Sequence, residues 1–404
     1  MTAETSTPPV FCAAHLLASW DECHPQRAFA ELAGQEAPSR PDGTLVVARR
    51  EELAEFLRHP AVRATDGVHY NMGGQRPLIP LDLDGEVHRK YRKLLDPLFT
   101  PKRVAGLAPA IRARANALID EFADEGEAEL LSGLCAPLPT HIFVDLLGLP
   151  LEDLPLFLDF KEAVVRPRGA TVAEQQENMR AAGERMYDYL VRILAARRAG
   201  PARADLLGGF LTAEVDGERL TDTEIIDICY LLVIAGLDTV TCSLSCLLAW
   251  FAGHPAERRR VVAEPALLGK AIEELMRFES PVPLGHRWVT EDVEVRGRRF
   301  PAGSTVEVVW AAANVDPDAF ADPLTVDFER PRNAHAVFAA GPHRCLGSNL
   351  ARLELRVTLE EFHQRIPEYQ ITPGQEVRYT NYGVRAAIHL PITFGGKSQG
   401  GKAR

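Results

Sequence analysis

Phe338-Ala339-Ala340-Gly341-Pro342-His343-Arg344-Cys345-Leu346-Gly347 stands directly before a helical pattern at residues 348–366. This places a thiol at a helix N-terminus, where free amides and the helix dipole favour a thiolate. His343 and Arg344 add positive character beside it. Gly341, Pro342 and Gly347 allow a sharp turn and leave room for a flat group against the sulfur. One cysteine taken alone reads as a buried packing residue. Its rigid Gly/Pro surroundings and the helix start point instead to a ligand.

Upstream lies the longest apolar stretch, residues 228–253, whose only formal charge is Asp238. Thr221-Asp222-Thr223-Glu224 fits a capping box, and Gly253 with Pro255 marks the end. A carboxylate midway is costly in lipid, so the pattern predicts a buried helix and no membrane span. Its interior is notched by Ala235-Gly236-Leu237-Asp238-Thr239. Glycine here weakens the helix and can open space, while an acid beside an alcohol can bind water and pass protons.

The 404 residues carry a net charge of −11, which argues against a general nucleic-acid binder. The seven cysteines show neither zinc-ligand nor redox-pair spacing, which fits a reduced, cytoplasmic protein; residues 1–9 lack a secretory signal. Helical patterns fill residues 87–99, 103–122, 141–147, 151–165, 173–198 and 267–278. Strand patterns cover 44–48, 288–300 (turning at Arg296-Gly297), 305–312 and 378–394. These patterns predict a mainly α domain with a smaller β-rich lobe (α+β) over residues 1–394, loosely patterned in residues 1–40, and a disordered tail at 395–404.

The cysteine loop resembles the haem-binding signature of the cytochrome P450 family. The likeness extends through Asp327-Phe328-Glu329-Arg330, Asn333, His335 and Phe338, and over residues 40–394 in order and spacing. It departs at Ala339, where the family commonly has Gly, and at Val315, where it commonly has Arg. The resemblance implies a P450 fold holding haem b between the long helix and the cysteine loop, with Cys345 as axial iron ligand. It also implies that His88, Arg92, Arg287 and His343 meet the haem propionates, with Phe338 beside them in the haem site. Glu274, Arg277 and downstream Arg330 would support the loop. Gly236 would leave room above the iron, Thr239 would stabilise dioxygen, and Asp238 would serve proton delivery.

The activity so implied is a monooxygenase that hydroxylates or otherwise oxidises a hydrophobic small molecule. Electrons from NAD(P)H would arrive through a separate ferredoxin or flavodoxin with its reductase, and a monomer is expected. By family position the pocket would draw on residues 64–84, 166–169 and 381–383, with Leu78, Ile79, Ile234, Val282, Pro283, Leu284 and Tyr382 as candidate walls. Arg89, Lys90, Arg92 and Lys93 form a basic cluster expected to steer an acidic redox partner. A peroxygenase or ring-forming variant and a non-enzymatic haem sensor are the alternatives; the intact Asp238-Thr239 pair favours the monooxygenase.

Overall fold

Thr221 accepts the backbone N–H of Glu224, and the Glu224 carboxylate accepts the backbone N–H of Thr221. The capping box thus opens the helix Asp222–Gly253, 32 residues long. The computed structural model describes residues 21, 23–65, 72–74, 76–165, 167–380 and 383–395, without the side chains of Val215 and Leu237. The long helix is apolar on nearly all faces, and such a helix must be covered all round. Pro137–Leu147, Leu154–Val165, Val172–Ala199, Leu268–Glu279 and the final helix Ser348–Arg365 pack on it. By length and composition it could cross a membrane, but 71% of its most apolar window is buried inside the protein, as in a core helix.

The sheet lobe is smaller. Leu45–Val47 runs parallel to Thr305–Val308, which pairs antiparallel with Gly285–Val289, and that strand pairs with Val62–Arg63. Val293–Val295 and Arg298–Phe300 form a hairpin whose turn residues, Arg296 and Gly297, both have positive φ. This is the two-residue turn whose twist suits a hairpin. Tyr369–Ile371, Pro391–Phe394 and Glu127–Glu129 form a further sheet.

Several boundaries differ from the sequence expectation. The helix over 103–122 is two helices, Pro101–Ala105 and Ala108–Asp120. Gly106 weakens the helix between them and Pro109 restarts it in the first turn. The 305–312 strand stops at Val308 and becomes the helix Trp310–Asn314. Its partner strand begins at Gly285, and Pro283 has no N–H with which to extend the ladder. The loosely patterned N-terminal segment contains the helix Gln26–Ala33.

The final helix buries titratable as well as apolar side chains. Glu354 and Thr358, one turn apart, are buried, and Glu354 Oε2 and Thr358 Oγ1 lack a hydrogen-bond partner among the described residues. Burial pushes the Glu354 carboxyl up to about 8. His363, stacked on Tyr369, is pushed down to about 3 by burial and by the Arg258 guanidinium.

Candidate active site

The cysteine loop is closed by backbone bonds: Cys345 N–H donates to Phe338 O at 2.9 Å and Arg344 N–H to Gly341 O at 3.1 Å. Gly341 has φ +73°, and a Cβ there would lie 2.3 Å from Leu57 O, so this position requires glycine. Ala339 also sits in the left-handed region, with φ 55°. Glycine holds that conformation without the Cβ penalty, which explains why a Gly fits there.

Two carboxylates of Leu268–Glu279 anchor this loop. Glu274 accepts two bonds from Arg277 (2.8 and 2.9 Å), and further bonds from Arg330 Nε (3.1 Å), Asn333 Nδ2 (3.1 Å) and Asp327 N–H (3.0 Å). Arg277 also reaches the carbonyls of Asn314, Pro323 and Thr325. The sequence did not single out Glu273. It accepts two bonds from Arg352 and lies 3.0 Å from His335 Nε2. Burial pushes Glu273 up, but these partners outweigh it and hold the carboxylate at about 2. The Arg352 guanidinium lies 4.3 Å over the Phe338 ring, tying the final helix to the loop.

Cys345 is exposed and stands directly before the final helix. Burial pushes its thiol up, against the Gly347 N–H and the guanidiniums of Arg92, Arg344 and Arg352. Midway along the buried long helix, Ala235 is exposed and Thr239, one turn on, is half-buried. Thr239 Oγ1 donates to Ala235 O at 2.9 Å. Ile234 and Leu346 both pack against one large apolar cluster.

Gly236 corrects the expectation. A Cβ there would lie 2.7 Å from the Phe143 ring, so this glycine admits Pro137–Leu147 against the long helix. Ala235 supplies the small exposed surface at the notch. Asp238 is buried, accepts from Cys242 Sγ at 3.2 Å and lies 3.8 Å from the buried Lys161 ammonium. Lys161 is 77 residues away in sequence, and no local pattern marks it.

His88 and His343 rings lie 4.2 Å apart, and His343 Nε2 is 3.0 Å from Asp84. Burial, His343 and Arg92 push His88 down to about 4. Arg92 donates to Arg344 O at 2.8 Å, which joins this helix, Gly85–Leu95, to the cysteine loop. Arg287 is buried 5.6 Å from the Trp310 ring. A soft sulfur donor, an apolar face and this cationic edge suit an iron porphyrin with two propionates.

The cytochrome P450 family model matches residues 158–378. The chain is 34% identical to "Probable cytochrome P450 127A1" of Sinorhizobium fredii, over 88% of this chain and 81% of that protein. It is 33% identical to "Steroid C26-monooxygenase" of Mycobacterium tuberculosis, over 80% of this chain and 89% of that protein. The crystal structure of CYP109E1 from Bacillus megaterium in complex with corticosterone superposes with a TM-score of 0.83 at 28% identity, covering 92% of this chain and 99% of that one. The chain belongs to the cytochrome P450 family.

The candidate pocket residues can now be sorted. Leu78, Ile79 and Ile234 share the cluster that Leu346 borders. Val282 packs against the sheet lobe and Pro283 is buried. Leu284 is a correction: it fills a separate cluster with Phe29, Leu32, Val46 and Val309, and is core rather than pocket wall. Tyr382 lies outside the described residues, as does Arg166. The basic cluster is a second correction. Arg89 pairs with Glu86, Lys90 with Glu218, Arg92 with Asp96 and Lys93 with Asp216. Four carboxylates offset four cations, so this face has little net charge with which to steer a partner.

Proposed function

We propose that this P450 is a haem b monooxygenase in which Cys345 ligates the iron, and that residues 40–394 act as one domain around that group. The presentation of Cys345, exposed at a helix start in a loop closed by its own backbone bonds, carries this reading. When bound, the haem iron supplies dioxygen binding and O–O cleavage, for which thiolate donation is suited. His88, Arg92, Arg287 and His343 would hold the propionates by charge-assisted hydrogen bonds.

On the other side, Ala235 keeps the floor of the chamber low and apolar. Thr239 can turn its hydroxyl from Ala235 O into the opening and hold a proton there. Asp238, with the Lys161 ammonium at 3.8 Å, is placed one residue away to resupply it. Ile79 and Ile234, with the fully buried Leu78 packed behind them, exclude water and orient a lipophilic substrate, which is hydroxylated or epoxidised. Electrons from NAD(P)H come through separate redox proteins.

The reduced, carbon-monoxide-bound spectrum tests the ligand. Wild-type protein should show the red-shifted Soret band of a thiolate-ligated haem, and Cys345→Ser should lose it. A band retained in the variant would sink the assignment.

A further inference from the structure

The strand Gly285–Val289 carries Arg287, and residues two apart on a strand share a face. His286 turns to the other face, where its Nε2 lies 3.4 Å from the buried Glu307 carboxylate directly across the ladder. Gly285 and Arg287 therefore look the same way. The indole of Trp310 covers that face at Gly285. A Cβ at Gly285 would lie 3.3 Å from Trp310 Cζ2 and 3.7 Å from Nε1, so the glycine gives the ring its seat. The Arg287 guanidinium, two residues along the strand, lies over the same ring at 5.6 Å.

The backbone pins the ring on both sides. Val309 N–H donates to Val47 O at 2.9 Å, and Ala311 N–H donates to Pro283 O at 3.0 Å. Trp310 is itself buried, in the cluster of Val289, Val306 and Val308. The chemistry above makes no use of it. An arginine loses rotamer freedom when it is fixed for binding. A ring that holds the guanidinium by its face removes part of that loss in advance and leaves the N–H edge to an anion.

We infer that Trp310 is a positioning residue: it holds the Arg287 guanidinium ready for a haem propionate and so slows loss of the cofactor. It acts through Arg287 and touches no reacting atom. The inference rests on the haem reading above.

Haem transfer from the holoenzyme to excess apomyoglobin tests it. Trp310→Leu should speed haem loss about tenfold, the scale of a desolvated cation–π contact. Trp310→Phe, which keeps a ring face with a weaker quadrupole, should fall between. Lost packing alone could also loosen the fold, so the same change is made beside Arg287→Gln. In that background Trp310→Leu should add less than about twofold, because the group it positions is gone. An equal acceleration in both backgrounds would overturn the inference, as would haem loss from Trp310→Leu at the wild-type rate. A wild-type chain that takes up no haem would overturn the haem reading and this inference with it, whereas the other two outcomes overturn the inference alone.

Discussion

In the network behind the cysteine loop, Glu273 and Glu274 are surrounded by donors at hydrogen-bond distance; beside Thr239, the Asp238 carboxylate meets its ammonium partner at a longer range. Glu274 accepts from Arg277, Arg330, Asn333 and the Asp327 N–H. Asp238 has the Lys161 ammonium at 3.8 Å and a cysteine thiol at 3.2 Å. The difference follows from what each side must do. A metal-binding atom has to stay put, and a saturated hydrogen-bond network in low dielectric is stiff. A group that passes protons has to exchange partners, which long contacts permit.

The contrast can be broken most forcefully at Glu274. Glu274→Ala strands two buried guanidiniums and should cost about 3–5 kcal/mol, the usual result of halving a buried ion pair. Chemical denaturation and haem retention measure it; a loss below about 1 kcal/mol would show that the network is dispensable. At the notch, Gly236→Ala gains about 1 kcal/mol of helix propensity but forces a methyl into Phe143, at about 1–3 kcal/mol. A net loss of up to about 2 kcal/mol in thermal unfolding is expected, and adding Phe143→Leu should recover much of it. Stabilisation by Gly236→Ala alone would return this glycine to the open chamber. Smallest is Ala339→Gly. Relieving a left-handed alanine is worth about 1–2 kcal/mol, less about 0.5–1 for glycine's freedom when unfolded. A gain of about 0.5–1 kcal/mol, with an unchanged carbon-monoxide spectrum, would show that the loop carries backbone strain unrelated to ligation.

These features were unequally legible. The cysteine loop, the capping box at Thr221 and the Glu274–Arg277 pair are local patterns, with partners a few residues apart. Lys161 and Arg352 were not legible, because each meets its partner only after the helices pack. Gly236 was visible but misread. A sequence shows that a side chain is missing, whereas the direction of the missing Cβ depends on the phase of the helix against its neighbour. The basic cluster was misread for a similar reason: Asp216 and Glu218 neutralise it from a turn over 120 residues downstream.

The final helix couples two buried titrations of opposite sense. His363, at about 3, stays neutral in the fold while the unfolded chain takes up a proton below about 6.5, so its contribution is lost as pH falls. Glu354, at about 8, keeps a proton that the unfolded chain releases above about 4.5, so its contribution is lost as pH rises. Between about pH 4.5 and 6.5 each state holds one proton on the pair and the slopes cancel. Outside that window stability should fall by about 1.4 kcal/mol per pH unit, toward about pH 3 on one side and about pH 8 on the other. Glu354→Gln should abolish the alkaline fall in denaturation midpoints and start the acid fall at about pH 6.5 instead of about 4.5, because nothing then offsets His363. The helix behind the cysteine thus works as a proton counterweight, giving the scaffold a flat-topped stability across mildly acidic pH.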